Sequence, residues 1–176
     1  MNTADFKSDL LYSEGVIDTV SDLPKILKSR IPAFESVEHA TINEDRGGTD
    51  YWIHRSPPLP PLSLDVKTRR EDFGKDDLAL ETFSVIPNIP GWTRDSNKRT
   101  DFILWFWEDS RRFLLVPFPP LCYVFSKRWQ QWRAEFGART NDSGNWHSEW
   151  VPVPVTVLFE ALRAWSNGQL QPVETR

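Results

Sequence analysis

Two apolar runs, residues 101–107 (DFILWFW) and 112–118 (RFLLVPF), are parted only by the polar tetrapeptide 108–111 (EDSR). Runs this rich in Phe, Trp, Ile, Leu and Val, broken by so short a polar segment, predict a β-hairpin. Strands this apolar need further elements packed over them, so the chain must build a layered core. At 176 residues it is long enough to do so as one domain spanning 1–176.

Turn and cap signals place the other elements. Residues 5–14 and 22–30 read as helices, the second capped by Ser21 or Asp22 with Pro24 in its first turn. Residues 31–48 resist assignment; Pro32 interrupts them, 34–42 is mixed, and Arg46-Gly47-Gly48 reads as a turn. Residues 49–55 form a short strand, after which 56–61 (SPPLPP) lacks the donors a regular element needs. The next segment, 62–68 (LSLDVKT), alternates with the period of a half-buried strand. Leu62, Leu64 and Val66 take one face, and Ser63, Asp65 and Lys67 the other. Residues 78–86 are a further strand. Ser126 is expected to cap a helix over 127–136 that Gly137 ends. Pro154 or Val155 opens a last helix to Trp165, stopped by Asn167-Gly168. The expected fold is α/β (α+β), a mixed central sheet of about five strands flanked by helices.

Composition narrows the class. Nine Trp, eleven Phe and three Tyr argue against disorder. No apolar run approaches the roughly 18 residues of a membrane span, so no membrane partner is expected. Asp5, Lys7 and Asp9 break any secretory apolar core in the first eleven residues. The lone Cys122 excludes an intrachain disulfide and a multi-thiolate zinc site, which makes a reducing cytoplasm the default compartment. The net charge of −4 excludes a non-specific polycation, while leaving room for a compact basic groove.

Chemistry concentrates around Asp50 and the triplet Asp65-Val66-Lys67. Asp65 and Lys67 leave the same strand face, being two residues apart. Pairing Arg55 with Leu62 would set Trp52 opposite Asp65 and Asp50 opposite Lys67, all on that face; a one-residue slip would turn Asp50 away. Two adjacent carboxylates suit Mg²⁺ or Mn²⁺, leaving coordination places for water and a phosphate oxygen. A neighbouring ammonium stabilises charge growing on phosphate or orients the attacking water. An acid-x-Lys triplet is equally compatible with a solvated strand face, and Asp50 after Gly47-Gly48 with a turn.

Gly48-Thr49-Asp50-Tyr51-Trp52 followed by Leu64-Asp65-Val66-Lys67-Thr68 resembles the PD-(D/E)XK restriction-endonuclease-like superfamily. Stretches 80–84 (LETFS), 90–93 (PGWT) and 100–104 (TDFIL) resemble small nuclease-like proteins of phages and mobile elements within it, so the similarity covers about 46–118. The resemblance implies metal-dependent phosphodiester cleavage, with Asp50 and Asp65 holding Mg²⁺ or Mn²⁺ and Lys67 assisting water. It also implies an acid on the first helix, for which Glu14 or Asp9 is the candidate and Glu35 a third choice. Thr49 stands where the family carries proline. Homodimers are common in the superfamily, and the Trp-rich hairpin is the candidate interface.

Glu81, on the strand after Asp65, is a further ligand candidate or a partner for a surface arginine. Arg69 and Arg70 follow the catalytic strand, where they could meet a nucleic-acid backbone. Trp92, Arg94, Lys98 and Arg99 combine an aromatic with cations, as a single-strand stacking platform does; a hinge loop with a buried Trp would look the same. His39, His54 and His147 lack partners at zinc-ligand spacing, although His54 shares the parity of Asp50. Two functions remain open: an Mg²⁺- or Mn²⁺-dependent nuclease acting on DNA, less readily on RNA, and a catalytically silent protein of the same fold that binds a host or replication protein.

Overall fold

The computed structural model describes residues 23–69, 76–142 and 147–169. In chain order its elements are α1 (Leu23–Arg30), β1 (Phe34–His39), α2 (Ile42–Arg46), β2 (Tyr51–Arg55), β3 (Leu62–Arg69), β4 (Asp77–Val85) and β5 (Ile89–Pro90). A 3₁₀ turn (Trp92–Arg94) leads to β6 (Phe102–Trp107), β7 (Arg112–Pro117), α3 (Phe118–Phe136), β8 (Arg139–Asp142), β9 (His147–Pro154) and α4 (Val155–Ser166). The expected helix over 5–14 lies outside the described residues. The described residues group into two compact units, one holding 23–69 and 98–118, the other 76–97, 119–142 and 147–169. No helix among the described residues is long and apolar enough to cross a membrane.

The first unit carries a five-stranded sheet in the order β1-β2-β3-β6-β7. Its pairs are antiparallel except β3 with β6, so the sheet is mixed, as the sequence predicts. Strand alternation sorts its side chains. Tyr51, Ile53, Leu64, Val66, Leu104 and Phe106 share one face and form a core with Leu23, Ile26, Leu27 and Ile31 at the end of α1. Fully burying one such side chain contributes roughly 1.5–3 kcal/mol, enough to fix which face of β3 turns inward. The opposite face of β3 and β6 brings Asp65 beside Ile103 and Lys67 beside Trp105. The predicted hairpin is β6–β7, its turn closed by Arg111 at a positive φ of 50°.

The second unit holds a four-stranded sheet in the order β5-β4-β9-β8. Leu78, Leu80, Val151 and Val153 are fully buried there, as are Leu121, Val124 and Phe125 of α3 and Leu158 of α4. Glu149 on β9 receives a two-pronged hydrogen bond from Arg133 at 2.9 and 2.8 Å and the Thr82 hydroxyl at 2.7 Å. Hydrogen bonding from Arg133 holds its carboxyl below the usual glutamate range, against the pull of burial. Arg94 lies over the rings of Trp129 and Phe83, at 4.1 and 5.0 Å from their centroids.

Two expectations about elements change. The helix expected over 127–136 begins at Phe118, because Pro119 and Pro120 occupy the first turn, where no N–H donor is required. Ser126 is then an interior residue, its hydroxyl bonded to the Tyr123 carbonyl at 2.7 Å. The second change is β9, where the sequence reading placed no strand; among the described residues it pairs beyond Trp150 only with β4, so the missing donors of Pro152 and Pro154 toward the other side cost no ladder bond.

Candidate active site

The site begins where β2 and β3 part. They pair as Tyr51 with Leu64, Trp52 with Ser63 and Ile53 with Leu62. This differs by two residues from the pairing of Arg55 with Leu62 anticipated above. Asp50, the residue just before β2, therefore falls level with Asp65 rather than with Lys67. Pro60 and Pro61 lack N–H donors and end the ladder at Leu62, and the Pro60 carbonyl accepts the Arg55 guanidinium at 2.7 and 3.0 Å.

Past Leu64 the chain before β2 turns away at Gly47-Gly48, and Asp50 makes the last link. Its N–H donates to the Leu64 carbonyl at 2.9 Å. Its Oδ2 accepts the Val66 N–H at 2.6 Å, so a carboxylate replaces the strand carbonyl that would otherwise meet that donor. Among the described residues, β3 from Asp65 to Arg69 has only β6 as a strand neighbour.

Asp65 is 1% exposed and lies between two lysines. Lys67 Nζ is 2.7 Å from its Oδ1 and Lys98 Nζ 2.7 Å from its Oδ2. Among the described residues neither oxygen receives a backbone or hydroxyl donor, so the ammonium charges are their compensation. Burial alone would raise the Asp65 pKa, but Lys67 and Lys98 together hold it below the usual aspartate range. Asp50 moves the other way. Burial, then the negative charge of Asp65, push its carboxyl up to about 7, and a hydrogen bond with Asp45 of α2 adds to the rise.

Lys98 is the residue whose place the sequence least foretells. The loop composition offered it, with Trp92 and Arg99, as a nucleic-acid contact; the structure sets its side chain against Asp65, 9% exposed. Two threonines bring it there: the Thr49 hydroxyl bonds the Arg99 carbonyl at 3.1 Å and the Thr100 hydroxyl bonds the Gly48 carbonyl. Asp101 completes the stitch, its Oδ2 accepting the Ser63 N–H and hydroxyl at 2.8 and 3.0 Å. Gly48 makes the approach sterically allowed. It has φ +93°, and a Cβ there would meet Lys98 Nζ at 2.1 Å. Gly48→Ala is therefore expected to lower stability by roughly 1–3 kcal/mol and to displace the Lys98 ammonium, as read by thermal denaturation.

The remaining candidates are dispersed. Arg69 continues the Asp65–Lys67 face and is half-buried, whereas Arg99 is exposed. Glu81 belongs to the other unit, where its Oε2 accepts the Ser84 hydroxyl at 2.8 Å and the Trp92 N–H at 2.9 Å. Trp92 is half-buried in that unit. His54 meets Glu38 at 3.0 Å. Glu35 is exposed on β1, at the irregularity between Phe34 and Ser36. Glu14, Asp9 and Arg70 lie outside the described residues. Among those described, no group of three or more His, Cys, Asp or Glu is arranged to hold a metal ion.

The fold and the site together define a mixed α+β protein whose five-stranded sheet carries a buried carboxylate–lysine cluster at a parting of strands. Among solved structures it is similar to a nuclease from a fusselovirus, with a TM-score of 0.34 and 14% identity over 96% of this chain and 97% of that one. No protein-family model matches the sequence, and no curated protein does.

Proposed function

We propose that the chain is a Mg²⁺- or Mn²⁺-dependent nuclease of restriction-endonuclease-like architecture that hydrolyses phosphodiester bonds of DNA. The observation that carries this reading is the closeness of Asp50, bonded to the β3 backbone at Val66, to Asp65 and Lys67. The donor set fits such an ion. Mg²⁺ takes hard oxygens, commonly one or two carboxylates, and completes its shell with water and substrate phosphate oxygens. Burial, then the charge of Asp65, make Asp50 hold a proton near neutrality, and a divalent cation would replace that proton. When bound, the ion supplies Lewis acidity toward both the phosphate and water.

The chain's own groups do the rest. Val66 N–H fixes the Asp50 carboxylate, so its orientation is set before any substrate arrives. Lys67, on a 37% exposed stem, can leave Oδ1 of Asp65 to orient water or meet a phosphate oxygen. Arg69, next along the same face, would neutralise substrate backbone. One observation favours a second reading, a silent site on a protein that binds another protein: both oxygens of Asp65 already meet ammonium groups, on a chain of net charge −4.

Purified protein offered plasmid, linear and single-stranded DNA and RNA is expected to cleave DNA with Mg²⁺ or Mn²⁺ and not with EDTA. Asp65→Ala and Lys67→Ala should each lower the rate at least about 100-fold, the scale on which removing one charge-stabilising group acts. Cleavage that survives both substitutions would end the nuclease reading; metal uptake without cleavage would favour the silent site.

A further inference from the structure

We propose that Arg99 anchors the substrate at the rim of the site, binding a backbone phosphate beside the one to be cleaved. The proposal rests on the nuclease reading above and names the residue that fixes where the nucleic acid lies across the acids.

Residues 98–101 form a strap over β3. Gly48 and Thr49 precede β2 on one side of that strand, and Phe102 opens β6 on the other. The strap is fastened along its length: the Thr49 hydroxyl donates to the Arg99 carbonyl at 3.1 Å, the Thr100 hydroxyl to the Gly48 carbonyl, and the Asp101 N–H to the Ser63 carbonyl at 3.2 Å. Lys98 on Asp65, and the Asp101 carboxylate on the Ser63 hydroxyl, place its path over the face of β3 that carries Asp65.

Side chains alternate along the strap. Lys98 and Thr100 turn inward, whereas Arg99 between them is exposed. Among the described residues its guanidinium makes no hydrogen bond or ion pair, although its backbone is pinned by Thr49. The other cations of the 91–100 segment are committed: Arg94 lies over Trp129 and donates to the Thr82 carbonyl at 2.9 Å, and Lys98 holds Asp65. The stacking platform suggested by composition thus reduces to one exposed arginine on a fastened backbone.

Such a group suits a phosphate. The guanidinium fork can give two parallel hydrogen bonds to phosphate oxygens, and a backbone already in place leaves less to be ordered on binding. A phosphate contact carries no base information; it sets register, and so acts on binding rather than on the chemical step.

The test is binding of a labelled DNA duplex by the full chain in EDTA, with cleavage kinetics in Mg²⁺. Arg99→Ala is expected to melt with the unaltered chain, to weaken binding about tenfold and to reduce the salt slope of Kd by about one. Its KM should rise by a similar factor while kcat stays within about twofold. Arg99→Gln keeps the stem and should behave alike, a second reading should the alanine variant fail to fold. Lys28→Ala removes the same charge from an exposed position on α1, which packs on the opposite face of the sheet, and should change neither constant. Arg99 variants that bind like Lys28→Ala, or that lose activity through kcat alone, would overturn the proposal and leave the nuclease reading intact. An unaltered chain that neither binds nor cleaves DNA would remove both.

Discussion

Asp65→Asn is expected to abolish cleavage and to destabilise the first unit by about 3–5 kcal/mol, although the amide has nearly the shape of the carboxylate. The large effect comes from what is left behind. Lys98, 9% exposed, would retain a buried positive charge with its partner neutralised, and breaking one side of such a pair is far more damaging than removing both. The double variant Asp65→Asn/Lys98→Met should therefore recover much of the lost stability, and a double-mutant cycle in urea would measure the coupling. Equal, additive losses from the two single changes would show that the pair is not the source. Lys67→Met should also lower stability, since it strips the Oδ1 of buried Asp65 of its ammonium, besides removing activity.

The opposite sign is expected at Asp50. Its carboxyl is pushed up to about 7 by burial and by Asp65, so between the unfolded value near 3.8 and that point the folded chain holds a proton that the unfolded chain has lost. Stability linked to this group is complete below pH 4 and falls as pH rises toward 7. Asp65 contributes with the reverse sign: its lowered pKa adds stability above the unfolded value, lost as the solution becomes acidic. In the window from pH 4 to 7 the Asp50 slope should stand out. Asp50→Asn mimics the protonated form and should flatten it, raising stability at pH 8 by roughly 2–4 kcal/mol. The same variant should not cleave. Divalent-metal affinity of the unaltered chain should rise about tenfold per pH unit up to pH 7, since each ion must displace the Asp50 proton. Denaturation curves and metal titrations at pH 5, 6, 7 and 8 check both statements; stability that climbs from pH 5 to 8 would contradict the first.

Local alternation and turn chemistry made much of the first unit legible. The Leu62–Val66 face and the hairpin of β6 and β7 were written in residue periodicity, and burial enforced what periodicity proposed. The register of β2 on β3 was not legible, since periodicity leaves every even shift open and the observed pairing differs by two residues from the one anticipated. The second unit's sheet was mostly hidden. Its strand β9 alternates apolar residues with prolines, and β8 is a short polar segment that only pairing makes a strand. Lys98 was hidden more deeply. A lysine in a polar loop looks like a surface charge, and only the glycine that clears its path and the threonines that fasten its neighbours make it an interior one.

The parallel pairing of β3 with β6 has a consequence for the order of assembly. The strand carrying Asp65 must wait for a neighbour about thirty residues further along the chain, and the intervening residues 76–97 belong to the other unit. Such distant pairings are slow, because the connecting chain must be immobilised before any contact rewards it. During synthesis, a nascent chain that has reached Arg69 therefore carries Asp65 without its internal lysine. The buried ion pair can form only after the ribosome has delivered Lys98.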